Sequence, residues 1–137
     1  MWYVFNAADA KNSLDGRTKY RPEHLARLNI LIKEGRLLVA GAYPAIDNID
    51  PGGNGYTGSL IIADFDSLSE AKSWADKEPF LLHGIYSSID IKPFKKSLPR
   101  VWATAWAISA SSSFNILSST ASSFRSDRSM ICCTSSS

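Results

Sequence analysis

Residues 1–96 alternate between strand-forming and helix-forming stretches in an order that few folds accept. Trp2-Tyr-Val-Phe-Asn-Ala-Ala8 is aromatic and β-branched and reads as a first strand. A helical stretch follows from Arg17 to Gly35. Arg36 to Ala40 and Ser59 to Phe65 read as a second and third strand. Ser67 to Glu78 is a second helix, opened by a Ser67/Glu70 capping box and closed by Pro79. Gly84 to Pro93 is a fourth strand, with Ile85, Ser87, Ile89 and Ile91 on one face and Tyr86, Ser88, Asp90 and Lys92 on the other. The order β-α-β-β-α-β predicts an α+β, ferredoxin-like protomer. Two helices then cover one face of a four-stranded sheet. The other face stays bare and calls for a partner, most simply a second copy of the chain packed sheet to sheet.

The first helix carries a histidine on its apolar side. At roughly 100° per residue, Leu25, Leu28, Leu31 and Ile32 fall within one arc that includes His24. Glu23, Arg27, Lys33 and Glu34 fall outside it, and Ile30 is the one apolar exception. Pro22 suits a first turn and Gly35 a C-terminal stop. The imidazole is therefore aimed inward. Two readings stay open: a packed core histidine with both ring nitrogens satisfied, or the proton-transfer group of a pocket.

The second reading needs an orienting carboxylate. Glu78, where the chain turns back toward the sheet, is the candidate; the bland alternative is an exposed acid at a helix end. Arg17 and Arg21 lie two turns and one turn before His24 and are candidates for holding an anionic ligand, against ordinary solvent-exposed arginines. Ser59, directly after Gly58, offers a hydroxyl, and Gly41 opens a long loop of five glycines and two prolines that runs to Gly58. A loop of that length is a flexible connection or lid, and it lacks the Gly-Lys-Ser/Thr ending and following helix of a phosphate loop. His83 could join His24 and Glu78 around zinc, but no spacing demands it and a surface histidine is the simpler reading. No metal and no cofactor is expected.

Charge and composition narrow the partners. Residues 1–96 hold 12 Lys/Arg and 12 Asp/Glu, so the body is neutral and offers no basic field for nucleic acid. No run of about 18 apolar residues predicts a membrane span, and the N-terminus lacks the basic and apolar regions of a signal peptide. The only cysteines, Cys132 and Cys133, are adjacent and far from the body, which fits a cytoplasmic protein. Composition changes abruptly at Ser97: fourteen of the last 41 residues are serine, with one acidic residue among them. Residues 97–137 are expected to be a disordered tail, or a segment that is not an evolved part of the protein.

Several runs resemble the YCII-related (YciI-like) family. They are Arg21-Pro-Glu-His24-Leu-Ala-Arg27-Leu28, Glu34-Gly-Arg-Leu-Leu-Val-Ala-Gly41-Ala-Tyr-Pro44, Gly55-Tyr-Thr-Gly58-Ser59, the segment around Trp74 and Asp76, Pro79-Phe80, Gly84-Ile-Tyr86 and Ile91-Lys-Pro-Phe-Lys-Lys96. The likeness covers residues 1–96 and leaves the tail outside. It implies a dimeric α+β barrel and a pocket built on a histidine–aspartate pair, with His24 in the histidine's place. The aspartate and tyrosine of the family's Asp-Pro-Tyr motif fall on Glu78 and Phe80, so this chain departs at the carboxylate and at the aromatic hydroxyl. One branch of the family is similar to dehydrochlorinases of chlorinated hydroxyquinols.

Two functions follow as expectations. One is a small-molecule enzyme using His24 and Glu78 as general acid/base, with Arg17, Arg21, Gly41 and Ser59 binding the ligand. The alternative is a non-catalytic binding or accessory dimer in which His24 is structural.

Overall fold

The computed structural model describes residues 1–100. Four strands and three helices run in the order β1 (Trp2–Asp9), α1 (Leu14–Lys33), β2 (Leu37–Pro44), β3 (Tyr56–Asp64), α2 (Leu68–Asp76), α3 (Pro79–Leu82) and β4 (Tyr86–Phe94), with a single 3₁₀ turn at Gly52–Asn54. The sheet order is β2-β3-β1-β4 and every pairing is antiparallel. This is the α+β, β-α-β-β-α-β architecture that the strand and helix order predicts. The expectation for the serine-rich tail falls on residues outside those described, apart from the first four.

Alternation along the central strands sorts the side chains. Tyr3, Phe5 and Ala7 of β1 are buried, and Phe5 pairs in register with Ile61 on one side and Ile91 on the other. Beneath them α1 supplies Leu28 and Leu31, and α2 supplies Ala71 and Ala75. Trp74 and Phe65 meet Phe5 edge-on, with ring centroids 5.4 and 5.6 Å away. The opposite sheet face has no helix over it and presents Val39 and Tyr43, 46% and 38% exposed.

Helix α2 begins as its capping box requires: Ser67 Oγ accepts from the Glu70 amide at 3.1 Å, and Glu70 Oε2 accepts from the Asp66 amide at 3.0 Å. Helix α1 is longer than its sequence pattern predicts. It starts at Leu14 and passes through Pro22, because Leu14–Arg21 needs no apolar stripe of its own once Arg17 is buried. Gly35 ends the helix region with φ 69°, the left-handed turn a glycine supplies most easily.

Three further expectations change. Leu25 and Ile32 are 40% and 56% exposed, so the buried stripe of α1 is Arg17, His24, Leu28 and Leu31. The expected loop from Gly41 to Gly58 is shorter: β2 continues to Pro44 and β3 starts at Tyr56. Its ends are tied by Ala45 N–H donating to Gly55 O at 2.9 Å. Phe80 to His83 reads in the sequence as a short connector between the second helix and the fourth strand; Phe80 to Leu82 is helical instead.

The last change concerns Tyr86. Its alternation places it on the outer face with Ser88 and Asp90. In the fold it is 3% exposed and packs with Ala7, Phe80 and Ile85. The cause is a β-bulge: Ala8 pairs with Ser88 but Asp9 pairs with Tyr86, so Ser87 is an extra residue in the ladder. One inserted residue reverses the side-chain phase, and Tyr86 turns inward.

Candidate functional site

The site lies where the first turns of α1 cross the C-terminal half of β1 and the start of α3. A cleft of roughly 640 Å³ opens there. His24, Arg17, Arg21, Gly41 and Ser59 all line it, so five of the six residues singled out from sequence share one cavity. The sixth, Glu78, is 1% exposed and stands behind His24.

Glu78 is the residue before α3, held extended at φ −69° and ψ 123° by the proline that follows. That turn carries its carboxyl under α1. Glu78 Oε1 lies 2.5 Å from His24 Nδ1, and Oε2 lies 3.3 Å from Arg27 Nη1. Arg27 is anchored by donation from Nη2 to the Trp74 carbonyl at 2.8 Å and lies over the Trp74 ring, 4.4 Å from its centroid. Burial pushes the Arg27 guanidinium below its ordinary value, and the Glu78 charge opposes that shift. The His24 ring is stacked on Phe80, centroids 4.3 Å apart and planes within 11°. An ionised Glu78 accepts from Nδ1–H, which fixes that tautomer and leaves the Nε2 lone pair unspent. Nε2 has no hydrogen-bond partner among the described residues.

Arg17 is not a solvent-exposed arginine. Its side chain is 10% exposed and is gripped by Asp9 in a two-pronged pair, Nε to Oδ2 at 2.6 Å and Nη2 to Oδ1 at 2.8 Å. Nη2 also donates to the Gly58 carbonyl at 3.0 Å and to Ser59 Oγ at 2.9 Å. Three rings surround the guanidinium, those of Tyr56, Phe80 and Tyr86, at 5.2, 5.3 and 5.7 Å. These contacts use Nε and Nη2. Nη1 makes no hydrogen bond among the described residues and remains for the cleft. Arg21, one turn on, is exposed at the cleft wall.

Glycines set the site's walls. A Cβ on Gly58 would stand 2.1 Å from the Ala7 carbonyl oxygen, so only glycine lets β3 approach β1 while its own carbonyl receives Arg17. A Cβ on Gly41 would meet nothing within 4 Å; Gly41 pairs with Leu60 on the sheet face that carries Val39 and Tyr43, so it lines the cleft with its backbone.

His83 is separate from this cluster. It is exposed and stacked on Tyr20, centroids 3.6 Å apart. Among the described residues no group of three His, Cys, Asp or Glu side chains could hold a metal ion, and no helix is long and apolar enough to cross a membrane.

Sequence reasoning missed Asp9, Arg27 and Tyr86. Arg27 carried a signal, since a residue three after His24 lies on the neighbouring strip of the same helix. Asp9 and Tyr86 carried none, because their positions depend on strand pairing and a bulge.

The comparisons fit this architecture. Residues 1–95 match the YCII-related domain. Protein YciI of Escherichia coli O6:H1 is 52% identical over 96 residues, covering 70% of this chain and 98% of the relative. An uncharacterised Haemophilus influenzae protein is 48% identical over the same length and the same shares. Among solved structures, 5-chloro-2-hydroxyhydroquinone dehydrochlorinase from Burkholderia phenoliruptrix, in complex with 2,5-dihydroxybenzoquinone, superposes with a TM-score of 0.62. The aligned part covers 71% of this chain and 96% of that one at 23% identity, a likeness of fold. The chain belongs to the YCII-related, YciI-like family.

Proposed function

We propose that the protein is a small-molecule enzyme in which His24, oriented by Glu78, takes and returns a proton through Nε2. The observation that carries this reading is the buried 2.5 Å contact between His24 Nδ1 and Glu78 Oε1, made by a histidine that lines a cleft. Glu78 does what a shorter aspartate would do, because the extended backbone at Glu78 sets the carboxyl under the helix. Arg17 and Arg21 hold an anionic group of the substrate, Ser59 adds a hydroxyl, and Gly41 lines the cleft with its backbone. A fold neighbour that is a dehydrochlorinase fits a small-molecule activity of this kind.

The working unit in this reading is a cytoplasmic homodimer formed by residues 1–96. Val39 and Tyr43 on the uncovered sheet face are the apolar surface a second copy would bury.

The test is a thermal-shift screen of small organic acids and phenols on the full chain, repeated on His24→Ala. A ligand present at about 100 times its dissociation constant should stabilise the parent by about 3 kcal/mol. Loss of that response in a folded His24→Ala variant supports a pocket role. A variant that folds and still binds and turns over the same compound refutes it. A variant that unfolds favours the alternative, a binding or accessory module with a structural histidine.

A further inference from the structure

Leu25 and Ile32 are apolar, yet they are 40% and 56% exposed and the core does not use them. Their place on α1 shows where they point instead. At roughly 100° per residue, Arg21, Leu25, Leu28 and Ile32 fall on one strip of the helix about 60° wide. All four line the cleft. Ile30 is also 55% exposed, but it lies off that strip and away from the cleft wall.

Strand β2 supplies the facing wall because it runs back beside the helix. At one end Arg36 N–H donates to the Leu31 carbonyl at 2.8 Å. At the other end Gly55, tied to Ala45, lies beside Leu14, where a Cβ on the glycine would stand 3.6 Å from the leucine. The cleft is therefore long, and its two halves differ. Arg17 and Arg21 line the half nearer the start of α1. Leu25, Leu28 and Ile32 line the other half, faced by Leu37, Ala40 and Ile61 of the sheet. Asn29 is the one polar side chain there among the described residues. Arg17 is already paired with Asp9, whereas Arg21 is exposed and makes no ion pair among the described residues. Asp50, the one carboxylate on the wall among those residues, accepts from the Gly52 amide of its own loop at 3.4 Å. The step from Arg21 to Ile32 spans about 16 Å of helix, at about 1.5 Å per residue.

We infer that the cleft takes a medium-chain aliphatic carboxylate, with its carboxylate at Arg21 and its tail along Leu25, Leu28 and Ile32 toward Leu37. This rests on the reading of the cleft as a small-molecule site and names the ligand class that site accepts. The walls set the class. Arg21 at one end matches one anionic group, and the far half is aliphatic on both sides. The tail covers Leu25 and Ile32, apolar surface that the fold itself leaves in water. The carbons next to the carboxylate then lie level with His24, which falls between Arg21 and Leu25 along the helix.

The probe is decanoate, titrated into the full chain by calorimetry below its micelle-forming concentration. Hexanoate and decyltrimethylammonium are titrated alongside. The parent should bind decanoate saturably and at least about tenfold more tightly than hexanoate, since each buried methylene adds to affinity. Decyltrimethylammonium carries the same tail with the opposite charge and should bind at least about tenfold more weakly than decanoate. Ile32→Asp and Leu25→Asp change exposed positions, so both should fold, and each should weaken decanoate binding about tenfold. Ile30→Asp should bind as the parent does. Arg21→Gln should weaken decanoate binding about tenfold and leave decyltrimethylammonium no weaker. A parent that does not bind decanoate, or binds hexanoate or decyltrimethylammonium as tightly, overturns the inference. So do Ile32→Asp and Leu25→Asp proteins that bind decanoate as the parent does. Sedimentation showing that Ile32→Asp separates copies of a parent that takes up no decanoate also overturns it, since the strip is then a contact between chains. His24→Ala separates the two readings. Decanoate binding retained there supports the ligand class whatever His24 does. A parent that ignores decanoate but binds a short acid, with that response lost in His24→Ala, overturns the ligand class and leaves the His24 reading standing.

Discussion

Glu78 Oε1 lies 2.5 Å from His24 Nδ1, although the two residues are 54 positions apart in the chain. The same carboxylate reaches Arg27 with its other oxygen. Removing it orphans a buried imidazole N–H and leaves Arg27 without a counter-charge. Glu78→Ala should therefore destabilise the protein by about 3 kcal/mol, since each buried donor left unpaired costs about 1–3 kcal/mol. Urea denaturation followed by circular dichroism measures this. A loss below about 1 kcal/mol would mean that the pair contributes little to the fold.

Asp9 and Arg17 form the second buried ion pair of the site, side chains 2% and 10% exposed. Asp9→Ala leaves the guanidinium uncompensated and should cost about 3–5 kcal/mol. Asp9→Ala combined with Arg17→Met should recover a large part of that loss. Additive losses in the double-mutant cycle would contradict a coupled pair.

Gly58 and Gly41 make opposite predictions from the same substitution. Gly58→Ala puts a Cβ against the Ala7 carbonyl at 2.1 Å, a backbone clash that must open the β1–β3 ladder. It should cost more than about 3 kcal/mol or abolish folding. Gly41→Ala meets nothing and should change stability by less than about 1 kcal/mol. Gly41→Leu should stay folded and leave cleft binding unchanged, because its side chain would stand on the uncovered sheet face with Val39 and Tyr43. Parallel melting curves for the three variants check this.

Tyr86 should govern alkaline stability. Burial raises its pKa from 10.0 to about 12, so between those values the folded state keeps a proton that the unfolded chain releases. Stability is then at its full value below about pH 10 and falls as pH rises through about 12, by at most about 3 kcal/mol from this group. Ultraviolet titration should show one tyrosine ionising last, and Tyr86→Phe should remove that step and flatten the decline. An unchanged slope in Tyr86→Phe would place the effect elsewhere.

The order of elements was legible because each had its own local signal: β-branched runs for the strands, the Ser67/Glu70 box for α2 and Gly35 for the end of α1. His24 was legible as an inward group because it shares a helical strip with Leu28 and Leu31. Glu78 was legible only as an acid before a proline. Arg17 pointed toward the ligand but gave no sign of burial, because its partner Asp9 comes from another element. Tyr86 read as outward, since alternation cannot reveal an inserted residue that reverses the phase. What the pattern missed is what long-range pairing creates.

The most direct measurement of the central claim is the protonation pattern of the His24 ring, by two-bond ¹H–¹⁵N correlation on the full chain at a pH where the ring is neutral. The account predicts Nδ1 protonated and Nε2 bare, and loss of that preference in Glu78→Ala. A ring with its proton on Nε2 in the unmodified protein, or a pattern indifferent to Glu78, would contradict it.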